Sequence, residues 1–192
     1  MDTFFEQIIK KNKGAREWAI IVGTVVAGLI LAAVSIIFSG YIGGMVILAL
    51  AGIAWLAWWL ITSQNIEYEY CVYEDGVTNS GIDVDQITAQ RKRRRLVSVS
   101  GRKVEALQPY DPATPVGKFQ RHVMVAPDLK AEGLWYFTYN SKKNGHTFVV
   151  FQPNDRVLRA FYRGLPKLVQ MDTERAAKEL GIDLKARPAE EE

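Results

Sequence analysis

Three side chains of this 192-residue chain could act as a nucleophile or a general base: Cys71, His122 and His146. Nucleophilic catalysis needs a base within hydrogen-bond reach, but no serine stands in a G-x-S-x-G setting. Cys71 lies mid-strand between Tyr70 and Val72, where a small apolar side chain is typical. One cysteine and two histidines that are 24 residues apart make no recognisable zinc spacing. We predict no catalytic residue, no metal and no cofactor, and hence no enzyme.

A pair of carboxylates is the remaining candidate for acid–base chemistry. Asp83 and Asp85 are two residues apart in an alternating stretch, which places both on one face of a strand. The favoured alternative is structural, because a neighbouring strand that carries Arg93 or Arg95 would form cross-strand ion pairs with them. No stretch reads G-x-G-x-x-G, so no nucleotide cradle is predicted.

A run of five cations follows these acids: Arg91, Lys92, Arg93, Arg94 and Arg95. One interpretation is that these cations are solvated at the start of a strand and partly balance the negative charge of residues 64–90. That stretch contains six acids and no Lys or Arg. A second is contact with the anionic inner leaflet of a membrane, and a third is docking of an acidic partner protein. Nucleic acid is not expected, since the net charge is only +3 and no recognition helix or aromatic platform adjoins the run. The five residues are our candidate site for anionic lipid or an acidic partner.

The segment that precedes these residues has the composition of a membrane hairpin. No Asp, Glu, Lys, Arg or His occurs from Trp18 to Ser63. Residues 18–38 and 41–63 are each long enough to cross the hydrocarbon core, and only Ser39 and Gly40 separate them. A cleaved signal peptide is rejected, because the first run is too long and leads into a second span. The lipid bilayer is therefore the first predicted partner.

Flanking charges predict the orientation of the hairpin. Residues 1–17 form a basic N-terminal segment, and the connection between the helices has no Lys or Arg. The positive-inside rule then places the N-terminus in the cytoplasm, and two crossings return the chain to that side. We expect a multi-pass protein of the inner membrane with both termini cytoplasmic. The basic residues before the first helix are Lys10, Lys11, Lys13 and Arg16.

Residues 64–169 show the pattern of a β-rich cytoplasmic domain. Alternation at 66–73 and 82–87 predicts a hairpin around Glu74–Gly76, and 97–99, 122–126, 134–139 and 146–152 read as further strands. Asn144-Gly145 is a strong turn signal. Residues 108–120, rich in proline, read as a loop. Val157, Leu158, Phe161 and Leu165 recur at helical spacing after a cap at Asn154 or Asp155.

The expected fold is thus a membrane α-helical hairpin plus an α+β domain, in which antiparallel sheets are closed by a C-terminal amphipathic helix. Residues 170–192 are predicted to form a short helix capped by Asp172 and a disordered tail. This element order resembles the pleckstrin-homology-like (PH-like) fold of crossed sheets or a barrel. The stretches "MDTFFEQIIKK", "IEYEY" and "DVDQITAQRKRRRL" are similar to a family of small bacterial two-helix membrane proteins of unknown function. That resemblance implies no activity.

Two functional classes remain at this stage. The first is a non-catalytic, membrane-tethered interaction or regulatory module that binds an unknown protein partner. The second is an accessory subunit of a transport or secretion complex in which the hairpin is the working part. The absence of ionisable residues from Trp18 to Ser63 argues against an ion path within this chain alone. The oligomeric state is left open.

Overall fold

The computed structural model describes residues 3–43, 45–75, 79–112 and 119–185. These residues form two compact units. One unit comprises Asn12–Ile66 and Thr88–Lys92, and the other contains the described residues up to Lys11, Glu67–Ile87 and the described residues from Arg93 onward. The helices and strands, in chain order, are β1 (Thr3–Lys10), α1 (Ala15–Ile37), α2 (Ser39–Ile42), α3 (Met45–Ser63), β2 (Ile66–Asp75), β3 (Asn79–Thr88), β4 (Lys92–Ser100), β5 (Val104–Pro109), β6 (Arg121–Met124), β7 (Trp135–Ser141), β8 (Gly145–Phe151), α4 (Asp155–Arg163) and α5 (Lys167–Glu179).

The first unit is dominated by two apolar helices, α1 and α3, that pack against each other. Both are long and apolar enough to cross a membrane. Their connection is longer than the predicted Ser39 and Gly40, because the short helix α2 intervenes and α3 begins only at Met45. Gly43 follows α2 with φ +58°, a left-handed conformation that side chains disfavour and that ends the short helix.

The second unit contains two four-stranded sheets. The first sheet has the order β1-β2-β3-β4. β1 was not predicted, since residues 1–17 were interpreted only as a basic segment. It pairs antiparallel with β2 along eight positions, from Thr3↔Glu74 to Lys10↔Glu67. The apolar doublets Phe4-Phe5 and Ile8-Ile9 hide the period of two that would reveal a strand.

The second sheet has the order β5-β7-β8-β6. The predicted hairpin at Asn144-Gly145 is present, with β7 antiparallel to β8 and Gly145 at φ +65°. The expected antiparallel pairing does not hold for β6, which runs parallel to β8. β6 and β8 are separated in sequence by β7, so the chain between them can reverse and allow a parallel pair. Among the described residues the two sheets form no closed barrel.

Aromatic side chains fill both faces of the second sheet. On one face the rings of Phe137 and Phe151 contact Phe161 of α4, with centroid distances of 5.3 and 6.3 Å. On the other face Phe148 stacks on Tyr136 at 4.7 Å, and loop residues around it exclude water. Burial of this aromatic area stabilises the unit through the hydrophobic effect.

The C-terminal helices begin where their caps allow. Of the two predicted caps of α4, Asn154 is the one used, and its Oδ1 accepts a hydrogen bond of 2.8 Å from the Val157 amide. α5 begins after Pro166, five residues before the predicted cap Asp172, which lies inside the helix. Proline suits a helix start because its φ is preset and its missing N–H is not needed there. The buried hydroxyl of Thr173 anchors α5 by donating to the Leu107 carbonyl at 2.9 Å.

Some predictions concern residues outside the described part of the chain. These are the Gly76 position of the first turn, residues 113–118 of the proline-rich loop and the part of the predicted disordered tail beyond residue 185.

Candidate functional site

The five cations at 91–95 lie at a tight turn and at the start of the strand that follows it. The turn joins β3 to β4 and is closed by a 3.1 Å hydrogen bond from the Arg91 amide to the Thr88 carbonyl. Ala89 and Gln90 have φ of 55° and 56°. Two consecutive left-handed residues are typical of a type I′ turn, which normally selects Asn-Gly. The turn therefore carries backbone strain at two ordinary residues.

Contacts with the end of α3 hold this turn in place within the first unit. The Ala89 amide donates to the Asn65 carbonyl at 2.8 Å. The guanidinium carbon of Arg91 lies 5.4 Å from the centroid of the Trp58 ring, which is a cation–π arrangement. These contacts place one cation of the run beside Trp58, near the end of α3.

Two other cations of the run are engaged by carboxylates of the first sheet. Arg95 bridges Asp83, at 2.8 Å, and Asp85, at 2.9 Å. Arg93 contacts Asp85 at 3.5 Å and also pairs with Glu69. The prediction of ion pairs between the strand acids and these arginines is thus confirmed. We call this set Glu69, Asp83, Asp85, Arg93 and Arg95 the carboxylate–arginine network.

This network differs from a surface salt bridge because two of its carboxylates are buried. Glu69 and Asp85 are only 2% and 3% exposed. The half-exposed arginine side chains lie over the acids and remove them from water. The hydrogen bond to Asp85 raises the pKa of Arg95, and an arginine keeps its charge in proteins in any case. Removing one arginine would leave a buried carboxylate without compensation.

Cys71 adjoins the carboxylate–arginine network and is not a reactive cysteine. Its Sγ donates to Glu69 Oε1 at 3.7 Å. Burial, assisted by the negative charges of Glu6, Asp85 and Asp83, raises the pKa of the thiol to about 11. At neutral pH the side chain is therefore a thiol rather than a nucleophilic thiolate.

Potential ligand atoms of Glu6, Glu69 and Cys71 lie within 4.8 Å of one another. Metal binding would require a thiolate at Cys71 and a free carboxylate at Glu69, but Glu69 already pairs with Arg93. We assign no metal to this group of residues.

The comparison with protein families identifies the chain. Residues 1–171 match the family described as bacterial PH-like domain (DUF6106). The chain belongs to this bacterial PH-like family. Its function is unknown, as the sequence resemblance implied. No curated protein and no solved structure matches the chain.

The family match extends beyond the two sheets of this PH-like protein. It begins before β1, spans both apolar helices and ends within α5. The predicted resemblance to small bacterial two-helix proteins with a PH-like part is confirmed. Two N-terminal helices and a β-rich domain with two sheets are thus the architecture of this family member.

The histidines of the PH-like domain lie apart from the network. His146 Nδ1 is 3.4 Å from Glu105 Oε2, and both side chains are half exposed. His122 lies on β6, with its ring edge-on to Phe119 and tilted against Phe148.

The structure also shows contacts that the sequence analysis missed. Glu69 was not expected as a partner of Arg93, although its place in the alternating stretch "IEYEY" put it on a defined face. The contact between Arg91 and Trp58 joins residues 33 positions apart, and no local pattern predicts it. Among the described residues, Lys92 and Arg94 have no carboxylate partner, so they and Arg91 are the cations of the run that remain for an external anion.

Proposed function

We propose that this PH-like protein is a non-catalytic, membrane-tethered interaction module. In this proposal α1 and α3 cross the inner membrane, and the PH-like domain is cytoplasmic. α4 closes the two sheets in the PH-like manner, an interpretation supported by the contacts of Phe161 with Phe137 and Phe151. The partners are the bilayer, through the hairpin, and a cytoplasmic protein that the domain binds.

One observation carries the topology of this proposal: β1 precedes the hairpin, β2 follows it, and the two strands are paired along eight positions. Strands of one sheet must lie on the same side of a membrane, so the chain between them has to cross an even number of times. The cations before α1 then favour the cytoplasmic side by the positive-inside rule. Those cations are Lys10, Lys11, Lys13 and Arg16.

The β3–β4 turn with the cations of residues 91–95, called the basic turn below, supports an additional contact with anionic lipid. Arg93 and Arg95 are used by the carboxylate–arginine network, whereas Arg91 lies against Trp58 near the end of α3. A tryptophan at a helix end is typical of the membrane interface. Arg91, Lys92 and Arg94 would together contribute about 3 kcal/mol at low salt, at about 1 kcal/mol for each cation. That energy would orient the domain, because the hairpin already anchors the chain.

A groove on the hairpin favours the second candidate function, an accessory subunit of a transport or secretion complex. Gly23, Ala27 and Gly28 of α1 face Ile53 and Ala57 of α3 across an apolar depression. Small residues allow close approach of a further helix. Exchange of the hairpin for an unrelated one separates the two functions: the interaction module keeps its partners, whereas the subunit loses them.

Cysteine accessibility in cells tests the topology. In a Cys71→Ala background, Asn12→Cys and Lys185→Cys report the two flanks, and Gly40→Cys reports the connection. A membrane-impermeant maleimide added to intact spheroplasts should label only Gly40→Cys, and lysis should expose the other two. Labelling of Asn12→Cys and Lys185→Cys on opposite sides, or of both in intact spheroplasts, would contradict the proposal.

A further inference from the structure

A cleft of about 810 Å³ lies at the end of β4, away from the basic run that begins this strand. Three stretches form it: the end of β4, the 3₁₀ turn that follows, and the β7–β8 turn. Its volume is within the range of small-molecule sites and is much larger than a single inorganic anion requires. Its lining residues are Ser98, Val99, Ser100, Lys103, Tyr139, Asn140, Ser141, Lys142, Lys143 and Gly145.

The charged residues that line this cleft are all basic. Lys103, Lys142 and Lys143 line it, and no acidic residue does. Across the described residues, none of the three ammonium groups forms an ion pair. This contrasts with Arg93 and Arg95, whose charges the network neutralises. Three uncompensated cations around one concavity focus a positive potential into it and attract an anion.

The rest of the lining supplies hydrogen bonds and an apolar floor. Ser98 and Asn140 are exposed at the cleft and offer a hydroxyl and an amide. Val99 and Tyr139 are buried beneath them. A ligand that fits this lining carries both an anionic group for the lysines and hydroxyls for the neutral donors. Phosphate is the suitable anion, because a lysine ammonium is a compact point charge that binds phosphate without needing a planar partner.

The backbone of the β7–β8 turn holds two of the lysines in position. Ser141 Oγ accepts a hydrogen bond of 3.4 Å from the Lys143 amide. Gly145 ends the turn at φ +65°, and a Cβ there would overlap the side chain of Gln120. A tight turn of this kind presents Lys142 and Lys143 from a defined scaffold.

We propose that this cleft binds a small phosphorylated, hydroxyl-bearing ligand. It is a second anion site of the PH-like domain, separate from the cations at 91, 92 and 94. The ligand chemistry is a phosphate ester on a polyol, which a soluble sugar phosphate and a phosphorylated lipid headgroup both supply. The inference does not depend on the proposed lipid contact of the basic turn.

Binding to the full-length protein in nanodiscs of neutral phosphatidylcholine tests the soluble source. The probes are glucose 6-phosphate and glycerol 3-phosphate, with glucose and glycerol as unphosphorylated controls, and isothermal titration calorimetry measures affinity. The Lys103→Gln/Lys142→Gln/Lys143→Gln variant should bind at least about tenfold more weakly than wild type, since charge-assisted bonds to the phosphate are lost. The matched control Lys130→Gln/Lys167→Gln/Lys178→Gln removes the same charge elsewhere and should bind as wild type does.

A second arm tests the lipid source. The same proteins are mixed with separate phosphatidylcholine vesicles that contain or lack a phosphorylated inositol headgroup, and co-flotation is measured. Cleft-dependent binding in either arm supports the proposal and identifies the source. The proposal is overturned if neither arm shows saturable binding below about 10 mM ligand. It is equally overturned if the cleft variant binds as wild type does, and either result leaves the labelling test of topology unaffected.

Discussion

The guanidinium of Arg91 lies over the indole of Trp58, 5.4 Å from the ring centroid, and joins the β3–β4 turn to the end of α3. Arg91→Gln should release this turn while leaving the carboxylate–arginine network intact. The expected cost is about 0.5–1 kcal/mol, the range for an exposed cation–π pair. Hydrogen exchange of the full-length protein in nanodiscs should show faster exchange at the Ala89 amide, which donates to Asn65.

A Trp58→Leu variant gives the matched control for this contact. Because both changes remove the same interaction, the double variant should exchange no faster than either single one. Additive effects would show that the stacking contributes nothing to the position of the turn.

The buried acids of the network predict a larger effect. Arg95→Met removes the partner of Asp83 and one of the two arginines that contact the 3%-exposed Asp85. We expect a loss of about 2–3 kcal/mol in the free energy of unfolding, below the full range for a buried pair because Arg95 is half exposed. Urea denaturation of the detergent-solubilised protein measures it. Arg94→Met is the control, because Arg94 has no carboxylate partner among the described residues, and an equal loss in both variants would exclude the network as the cause.

The strained turn predicts a gain of stability. Ala89→Asn with Gln90→Gly introduces the Asn-Gly pair that a type I′ turn prefers, and both residues keep the backbone amides of the turn. The free energy of unfolding should rise by about 1–2 kcal/mol, since left-handed residues other than glycine each cost about 1 kcal/mol or more. Thermal denaturation of the same preparation measures the change. A lower melting temperature in the double variant would show that the turn is not of this type.

Cys71 predicts a pH dependence at the alkaline end. Its pKa in the folded protein, about 11, is higher than the value of 9.0 for a free thiol. The folded state therefore holds the proton of Cys71 more tightly than the unfolded state does. The contribution of this proton to the free energy of unfolding is complete below pH 9 and is lost as the pH rises towards 11. The melting temperature of wild type should fall more between pH 8.5 and 10.5 than that of Cys71→Ala, over about two pH units. Parallel curves for the two proteins would contradict the raised pKa.

The hydrogen bonds of the Gln7 side chain indicate that the N-terminal strand, β1, is part of the folded domain. Its Nε2 donates to the Gln152 carbonyl at 3.2 Å, and its Oε1 accepts from the Asn154 amide at 2.7 Å. Gln7→Ala should cost about 1–2 kcal/mol through the two lost hydrogen bonds. Gln7→Glu keeps the acceptor but brings a carboxylate to the Gln152 carbonyl, so it should not restore stability. Unchanged urea denaturation of Gln7→Ala would show that these two hydrogen bonds do not stabilise the domain.

Several features were predictable because they depend on local patterns. Side-chain alternation predicted β2 and β3, Asn144-Gly145 predicted the β7–β8 hairpin, and helical spacing after Asn154 predicted α4. Each of these signals requires only neighbouring residues, since periodicity and turn chemistry are short-range. The spacing of Asp83 and Asp85 also predicted a shared face and hence their ion pairs with Arg95.

Other features depended on which distant segments meet. The sequence by itself determined two apolar helices, a β-rich remainder and a run of five cations. Only the tertiary structure decided that the chain before the hairpin pairs with β2, that Arg93 and Arg95 are neutralised, and that three lysines from two distant stretches line one cleft. The physical reason is that strand pairing and charge compensation depend on distance in space. Residues such as Gln7 and Asn154 are 147 positions apart in the chain, so no local pattern records their contact.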